Sequence, residues 1–478
     1  MVSLSVAGWG WQYAARSTPA LSNISFDITP GERVLLLGSS GVGKSTLLRA
    51  VAGVLGADEG TQVGEISLDG VSPERARGAV GLVLQDPENQ VILERVGDDV
   101  AFGCENLGVP AEEIWARVQR ALHLVGLNVP LDHSTSKLSG GQKQRLALAS
   151  VLAMQPELIA LDEPTANLDP IGARQLKEAL TLVVEDHQPT IVMVEHRVDL
   201  WWDFATRVIV LAADGVLWDG APEDMSPEVR NVLATAGVWL PQTEATARER
   251  PAPTGSQPLL HLENLHAAHP GSLHVTTPLD VDVYAGEIVA ITGPNGAGKT
   301  ALALTLGGLY PPRSGQVRAG GSLTGTAHST KPITWRSREL LSRIGSVFQA
   351  PEHQFVAGTV RAELAVGPGA LTLSRDEQSA RVEKLLDRLH LRDLENAHPF
   401  TLSGGQQRRL SVGTVLATQP KVLILDEPTF GQDATTWTEM VALFTELRAE
   451  GHAVVIVTHD EKLVQAVADR VIHLGGDA

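Results

Sequence analysis

The chain has 478 residues, which is too long for one ordinary domain. Hydrophobic residues make up 43% and charged residues 20%, a composition typical of globular protein. Its formal net charge of −18 argues against broad electrostatic binding to nucleic acid or to an anionic membrane surface. The single cysteine, Cys104, excludes an intramolecular disulfide framework. No apolar run reaches the roughly 18 residues of a membrane-spanning helix, and residues 1–10 lack the basic residues of a secretory signal.

The first motif in chain order is a glycine-rich loop that follows an apolar run at residues 32–38. The loop has the spacing G-x-x-x-x-G-K-[ST], in which backbone N–H groups and a helix N-terminus surround phosphate groups. We expect Lys44 to reach the β- and γ-phosphates and Ser45 to ligate Mg²⁺. A second such loop, with Lys299 and Thr300 in the same roles, follows the apolar run at 287–293. The predicted nucleotide-binding residues are Gly38, Ser39, Ser40, Gly41, Val42, Gly43, Lys44, Ser45 and Thr46, and Gly293, Pro294, Asn295, Gly296, Ala297, Gly298, Lys299, Thr300 and Ala301.

Two later apolar runs, LIALD and VLILD, each end at a pair of carboxylates. We expect Asp162 and Asp426 to hold Mg²⁺, usually through water. Glu163 and Glu427 are placed to act as general bases that polarise the attacking water. A pair of solvated acids at a strand end is the alternative, and the preceding phosphate loops argue against it.

A histidine ends one further apolar run in each half of the chain. His196 follows Glu163 at almost the same separation in sequence as His459 follows Glu427. A histidine at a strand end is more often structural than catalytic, but the repeated spacing favours a contact with the γ-phosphate that orients the water.

These motifs show that the chain repeats itself. The interval from Gln85 to Gln349 equals the interval from Ser139 to Ser403 and that from Glu163 to Glu427. The interval from Lys44 to Lys299 is shorter. Nine extra residues therefore lie between the first two motifs of the second copy, and we expect a surface loop at 319–332.

Within each copy, continuous apolar runs predict parallel strands covered on both faces, and segments 112–125 and 376–391 have helical periodicity. We therefore predict two α/β domains, at 1–240 and 259–478. The residues 241–258 between them are rich in Pro, Thr and Ala, which predicts a flexible or partly extended linker.

The sequences LSGGQKQR and LSGGQQRR resemble the signature motif of ATP-binding-cassette (ABC) ATPases. The resemblance implies two tandem P-loop NTPase domains, each with a mostly parallel core sheet, an antiparallel β subdomain and an α-helical subdomain. It also implies that the two domains pair head to tail within one chain, so that each ATP lies between the phosphate loop of one half and the signature of the other. The signature residues then expected to bind nucleotide are Ser139, Gly140, Gly141 and Gln142, and Ser403, Gly404, Gly405 and Gln406.

The same resemblance assigns further roles. Gln85 and Gln349 match a glutamine that approaches Mg²⁺ and the water and links the site to a transmembrane partner. Asp169 and Asp433 match a loop at the domain interface, although the second copy reads FGQD where the first reads ANLD.

An aromatic platform for adenine is also implied by the resemblance. Tyr13, beside Trp11, precedes Lys44 at almost the same separation in sequence as His269 precedes Lys299. Plain packing of these rings is the alternative. Because the second copy has Ala301 in place of Thr46 and a weaker ring, we expect lower affinity at its site.

Residues 85–110, QDPENQVILERVGDDVAFGCENLGVP, resemble the energy-coupling-factor (ECF) ATPases and cobalt/nickel-importer relatives, and the second copy keeps a fainter version. The resemblance implies an integral membrane scaffold (T-type) subunit, a small substrate-binding membrane subunit, and a location on the cytoplasmic face of the cell membrane. The cargo would be a vitamin-class molecule or a transition-metal ion. A polar surface turn is the alternative for the docking candidates, which are Pro87, Glu88, Asn89 and Gln90, and Pro351, Glu352, His353 and Gln354.

Three other functions fit the motifs less well. Fused double cassettes of sugar importers commonly have one degraded site, and neither site is degraded here. A ribosome-acting ABC translation factor usually has a long charged linker, and a DNA-repair ABC ATPase needs long coiled-coil or zinc-bearing insertions. The sequence therefore predicts an ATPase that uses ATP and Mg²⁺, binds no nucleic acid and energises transport.

Overall fold

The computed structural model describes residues 2–14, 18–166, 168–241, 257–270 and 275–475. The chain divides into two compact units, of which the first ends before residue 243 and the second contains most of the chain after it. Nearly all of the predicted linker, residues 242–256, lies outside the described residues, so its flexibility stays a prediction.

The first unit contains two sheets and a helical layer. Its elements in chain order are β1 Leu4–Tyr13, β2 Leu21–Ile28, β3 Arg33–Leu37, α1 Lys44–Val51, β4 Gly60–Leu68, β5 Val80–Val83, α2 Val96–Asn106, α3 Ala111–Leu124, α4 Gly140–Met154, β6 Leu158–Asp162, α5 Pro170–His187, β7 Thr190–Val194, α6 Val198–Trp201, β8 Arg207–Ala212, β9 Gly215–Gly220 and α7 Pro227–Thr235. The core sheet has the strand order β5-β6-β7-β3-β8-β9 and is parallel except for the β8–β9 pair. The second sheet, β2-β1-β4, is antiparallel.

The second unit repeats this plan. Its elements are β10 Pro258–His266, β11 Leu279–Tyr284, β12 Ile288–Thr292, α8 Lys299–Leu306, β13 Ser314–Ala319, α9 Gly321–Thr324, α10 Ser337–Leu341, β14 Ile344–Val347, α11 Val360–Ala370, α12 Arg375–Arg388, α13 Gly404–Leu416, β15 Val422–Asp426, α14 Ala434–Ala449, β16 Ala453–Val457, α15 Glu461–Val467 and β17 Arg470–His473. The core sheet, β14-β15-β16-β12-β17, is parallel throughout, and β11-β10-β13 is antiparallel. The predicted fold class is therefore confirmed in both halves.

The core sheets are buried on both faces, as their continuous apolar runs predict. In β3, Leu35 and Leu37 pack with the helical layer, while Val34 and Leu36 pack with the antiparallel sheet. The strand β16 alternates in the same way between its two neighbouring layers. These two central strands therefore separate two hydrophobic cores, which hold their carboxyl ends rigidly where the motif residues begin.

The inserted segment at 319–332 is only partly the surface loop that its composition predicts. It contains the short helix α9, and Leu323 of that helix is 1% exposed and packs into the core of the antiparallel layer. Among the helices in the described ranges, none combines the length and apolar character needed to cross a membrane.

Candidate functional site

The phosphate loop of the first half joins β3 to α1. Gly41 and Gly43 have φ angles of 76° and 102°, which side chains rarely adopt, and a Cβ at Gly41 would enter open space. Lys44 is 7% exposed and its Nζ donates to the carbonyls of Gly38 at 2.8 Å and Ser39 at 3.0 Å. Burial lowers the pKa of Lys44, and the carboxylates of Glu163 and Asp162 oppose that shift. The loop is thus an open cradle of backbone beside one held ammonium group.

The loop of the second half has the same construction. Lys299 Nζ donates to Gly293 O at 2.9 Å and to Pro294 O at 3.0 Å. Gly296 and Gly298 again have positive φ angles, and a Cβ at Gly296 would again enter open space. Both cradles therefore fit the phosphate groups that the motif predicts.

The first acid of each pair lies against the hydroxyl that follows the lysine. Ser45 Oγ donates to Asp162 Oδ1 at 3.1 Å, and the Thr300 hydroxyl bonds to Asp426. Burial raises the pKa of both aspartates to about 6. Within the described part of the chain, Asp426 Oδ1 is buried and has no hydrogen-bond partner. A buried carboxylate oxygen without a donor is costly, and a hard cation held by oxygen ligands would remove that cost, so these residues fit Mg²⁺.

The second acid of the first half is joined to two other predicted site residues. Glu163 has a φ angle of 47° and accepts from Gln85 Nε2 at 2.9 Å through Oε2. Its Oε1 lies 3.0 Å from His196 Nε2. Burial would raise the pKa of Glu163, but His196 and Lys44 outweigh burial and the pKa is lowered. The structure therefore brings Gln85, Glu163 and His196 together around one ionised carboxylate.

The second half holds its glutamate differently. Glu427 has nearly the same φ angle, 48°, and its Oε1 lies 2.7 Å from His459 Nδ1. Its Oε2 accepts from Thr458 Oγ1 at 3.1 Å. Among the described residues, no hydrogen bond joins the Gln349 side chain to Glu427.

The sequence analysis missed the residue that precedes each histidine. Glu195 is 3% exposed and its Oε1 accepts from Thr165 N at 2.9 Å. Burial raises its pKa, and the hydrogen bonds from Thr165 oppose the shift. The other site residues were predicted because they recur in both copies. This position does not recur, since it is Glu195 in the first copy and Thr458 in the second.

A second missed residue is Arg408, which lies in the LSGGQQRR segment and on the helix α13 that begins within it. It is 3% exposed and donates to Phe348 O at 2.8 Å and to Gln349 O at 2.6 Å. Burial lowers its pKa to about 10, opposed by Glu427 and Asp426. The corresponding Gln144 is 1% exposed, and neither of its amide atoms has a hydrogen-bond partner within the described residues.

The two signatures form matching helix starts. Ser139 caps α4 and Ser403 caps α13, each in a reciprocal capping box with Gln142 or Gln406. The side chains of these two glutamines are thus engaged with their own helix starts. Gly140 and Gly404 are exposed, and a Cβ at either residue would meet open space. Their role at the other half's nucleotide stays a prediction of the resemblance.

The predicted adenine rings occupy different settings. The Tyr13 hydroxyl lies 3.0 Å from Thr46 Oγ1, and the Tyr13 ring meets Trp11 edge-on at 6.0 Å. His269 is exposed and meets the ring of Tyr310 edge-on at 5.4 Å, with 3.3 Å between His269 Nε2 and the tyrosine hydroxyl. Tyr310 was not predicted, because it follows α8 rather than preceding the phosphate loop.

The remaining interface loop is partly described. Asp169 caps α5 by accepting from Gly172 N at 2.7 Å, whereas Asn167 of the same loop lies outside the described residues. The structure tests no interface role for Asp169 or Asp433.

Two α/β units, each with a phosphate loop followed by a strand-end Asp-Glu pair and a histidine, define a tandem P-loop nucleotide-binding protein. The model of the family described as ABC transporter matches residues 21–166 and again residues 276–430. The chain belongs to that family, whose ATPases generally hydrolyse ATP with Mg²⁺.

Similar proteins extend over nearly the whole chain. A Bacillus subtilis protein named "Putative HMP/thiamine import ATP-binding protein YkoD" is 35% identical over 98% of this chain and 89% of its own length. A Methanosarcina acetivorans protein named "Putative ABC transporter ATP-binding protein" is 32% identical over 97% of this chain and 82% of its own length. The solved structure titled "RNase-L Inhibitor" covers 98% of this chain and 88% of its own with a TM-score of 0.65, but at 18% identity it shows the fold alone.

Proposed function

We propose that this chain is the ATP-binding and ATP-hydrolysing energising subunit of an ECF-type ABC importer. It would drive uptake of a vitamin-class molecule or a transition-metal ion through a separate membrane scaffold and a small substrate-binding membrane subunit. The observation that carries the proposal is a pair of preorganised segments with an exposed apolar residue, one in each half, shortly after Gln85 and Gln349. A relative named for HMP/thiamine import, similar over nearly the full length, supports the vitamin class.

The geometry of each half supports the following hydrolytic roles. The loop N–H groups and Lys44 or Lys299 bind and neutralise the ATP phosphates. Glu163 or Glu427 accepts a proton from the attacking water, and the adjacent histidine keeps that carboxylate oriented. General-base assistance of this kind contributes about 10²- to 10⁴-fold to the rate.

The metal site is proposed from the same residues. Ser45, Asp162 and Gln85 in the first half, and Thr300, Asp426 and Gln349 in the second, would hold Mg²⁺. The ion would neutralise charge on the phosphate oxygens during transfer.

The docking segments are built alike in the two halves. Asp99 is 6% exposed and its Oδ1 accepts from the backbone of Ile92 and Leu93, both at 2.8 Å. Glu363 is 2% exposed and accepts from Val356 N at 2.9 Å and from the next residue at 2.6 Å. A buried carboxylate thus fixes the backbone at each of these positions.

The residues at these tips are apolar and exposed, Ile92 by 63% and Val356 by 77%. Exposed apolar side chains on a fixed backbone favour docking of an apolar or amphipathic helix from a membrane subunit. The segments therefore support a partner surface rather than a plain polar turn.

The structure narrows the set of docking candidates. Gln90 faces inward, accepting from Leu84 N at 2.8 Å and donating to Leu82 O at 2.8 Å. Gln354 makes the equivalent bonds to Phe348 and Ser346. Pro87 is buried. Glu88 pairs with Lys143 at 2.7 Å, so reversing its charge would also disturb the signature helix.

Ile92 and Val356 therefore give a cleaner test of docking than Glu88. We expect Ile92→Asp and Val356→Asp together to abolish co-purification with the membrane subunits and ATP-driven uptake, because a charge in an apolar contact is costly. Val232→Asp is a matched control, since Val232 is 69% exposed on α7, outside both segments. Uptake retained by the double variant would contradict docking at these segments.

A ribosome-acting translation factor is the alternative function. Fractionation of cells followed by detection of the chain separates the two: membrane association with co-purified small integral subunits supports the importer, and sedimentation with ribosomes supports the alternative. Identification of the small subunit in the membrane fraction would also give the cargo. The boundaries 1–240, 241–258 and 259–478 stay predictions, and limited proteolysis within 241–258 is their test.

A further inference from the structure

The two halves differ in the side chain that precedes the histidine, close to the carboxylates proposed to be catalytic. The first half has Glu195 before His196, and the second has Thr458 before His459. Both side chains are buried, at 3% and 0% exposure. A buried carboxyl group and a buried hydroxyl have different hydrogen-bond requirements, so the exchange has consequences for their neighbours.

In the first half, the carboxylate of Glu195 bonds to groups other than Glu163. One oxygen accepts from the backbone and hydroxyl of Thr165, and the other accepts from His196 N at 3.1 Å and Arg197 N at 3.4 Å. Arg197 in turn donates through Nη2 to Leu168 O at 2.9 Å. The segment after β7 is thereby bonded to the segment after β6 without using either oxygen of Glu163.

In the second half, Thr458 donates its hydroxyl directly to Glu427 Oε2 at 3.1 Å. The link to Thr429 is made instead by Asp460, whose Oδ2 accepts from Thr429 Oγ1 at 3.0 Å and from Trp437 Nε1 at 2.8 Å. In both halves a side chain next to the histidine therefore bonds to the threonine after the acid pair. In the first half this side chain precedes the histidine, and in the second half it follows it.

The chemistry of the two side chains explains the difference. Both oxygens of Glu195 already accept hydrogen bonds from Thr165, His196 N and Arg197 N, so Glu195 does not occupy an oxygen of Glu163. Oxygen Oε2 of Glu163 is left to Gln85, which donates to it at 2.9 Å. A threonine hydroxyl does donate, and Thr458 takes the equivalent oxygen of Glu427, to which Gln349 makes no hydrogen bond in the described structure.

We propose that the residue before the histidine is a positioning residue that decides whether the glutamine of the same half is joined to the catalytic carboxylate. Glu195 permits the Gln85–Glu163 link, and Thr458 displaces the equivalent link in the second half. This inference rests on the proposed hydrolytic roles of Glu163 and Glu427. A displacement of Gln85 then acts on the catalytic carboxylate of the first half through this hydrogen bond. In the second half Gln349 has no such bond and acts only through its proposed contact with Mg²⁺.

A double-mutant cycle on the full chain tests the proposal. In a Glu427→Gln background, which silences the second half, ATPase kcat and KM are measured for Gln85→Ala, Glu195→Thr and the combination. We expect Gln85→Ala alone to lower kcat about 10-fold with little change in KM, as for loss of a hydrogen bond to a charged group. In the presence of Glu195→Thr, we expect the effect of Gln85→Ala on kcat to shrink about 5-fold, because the new hydroxyl would occupy the same oxygen and only the proposed contact of Gln85 with Mg²⁺ would remain to be lost.

The reverse exchange gives a second test that does not depend on the folding of the first. In a Glu163→Gln background, Thr458→Glu should increase the effect of Gln349→Ala on kcat, whereas the conservative Thr458→Ser should leave that effect as it is in the parent. Both arms use nucleotide binding as the control for folding.

The outcomes separate this inference from the proposed function. Equal effects of Gln85→Ala with and without Glu195→Thr, or an effect of Gln349→Ala that Thr458→Glu does not change, would overturn the inference and leave the proposed function standing. A Glu427→Gln protein whose ATPase activity is unchanged when Glu163→Gln is added would overturn both.

Discussion

Glu163 divides its two carboxylate oxygens between Gln85 and His196, whereas Glu427 divides its oxygens between Thr458 and His459. The backbone at the two glutamates is the same, with φ angles of 47° and 48°. The two halves therefore hold the glutamate at nearly the same φ angle and differ in the group that bonds to its second oxygen.

The two halves also differ in the hydrogen bonds to the backbone at the glutamine, which is Gln85 in the first half and Gln349 in the second. Arg408 bonds to the carbonyls of Phe348 and Gln349 from the signature helix of the second half, whereas Gln144 makes no hydrogen bond at the equivalent place among the described residues. The second half thus holds the backbone of its glutamine, and the first half holds the side chain.

This comparison shows where the copies have diverged. The phosphate loops, the acid pairs and the histidines are repeated, with one lost hydroxyl at Ala301. The other differences are at two pairs of equivalent buried residues, Glu195 and Thr458, and Gln144 and Arg408. Such exchanges alter the properties of a site while leaving its chemistry in place.

Among the variants that compare the two halves, we expect the largest effect from those that weaken ATP binding in one half only. Lys44→Ala and Lys299→Ala each remove a buried ammonium group from the phosphate cradle, and we expect the affinity of the altered half for ATP to fall about 100-fold. Calorimetric titration with Mg-ATP should then detect one tight site per chain instead of two. Lys177→Ala, which removes a surface ion pair with Asp203, is the control. Two tight sites in either loop variant would contradict the assignment of the loops.

A smaller effect is expected at the support of the second glutamine. Arg408→Gln, which installs the residue found in the first half, removes two charged hydrogen bonds and should destabilise the segment around Gln349 by about 1.5–3 kcal/mol. Hydrogen exchange of the amides at 344–354 measures this change. Arg409→Gln is a matched control, because Arg409 pairs with Glu439 rather than with this segment. Unchanged exchange in the Arg408 variant would show that the guanidinium group does not hold the segment.

The smallest effect concerns the hydroxyl at the end of the first loop. Thr46→Ala removes the partner of the Tyr13 hydroxyl and makes the first loop resemble the second. We expect the ATP dissociation constant of the first half to rise about 2- to 10-fold, as for loss of one hydrogen bond. Fluorescent-nucleotide titration of Thr46→Ala and of the converse Ala301→Thr measures the change. Equal affinities in these two variants and the unaltered protein would remove this residue as a source of difference.

Much of the fold could be predicted from the sequence. Apolar runs such as LIALD coincide with β6, and the predicted helices at 112–125 and 376–391 coincide with α3 and α12 to within three residues. These predictions succeed because a parallel sheet buried on both faces requires continuous apolar strands. The composition of the inserted segment was misleading, because one leucine, Leu323, is sufficient to anchor a short helix in the core.

The candidate site was predictable where residue type and spacing fix the chemistry, as for Lys44, Asp162 and Glu163. The partners of these groups were not predictable. Glu195 meets Thr165 across 30 residues of sequence, and Arg408 meets Gln349 across 59. Such contacts depend on the packing of distant segments. Glu195 belongs to none of the motifs, and Arg408 lies in the LSGGQQRR segment, whose resemblance assigns it no role. Gln90 was misplaced for the same reason, since only the packed structure shows it facing inward.

The most direct test of two hydrolytic sites is the steady-state ATPase activity of Glu163→Gln, Glu427→Gln and the double variant. The account predicts that each single variant lowers kcat, by unequal factors, and that the double variant lowers it by about 10²- to 10⁴-fold. A single variant with the ATPase activity of the unaltered protein would contradict it.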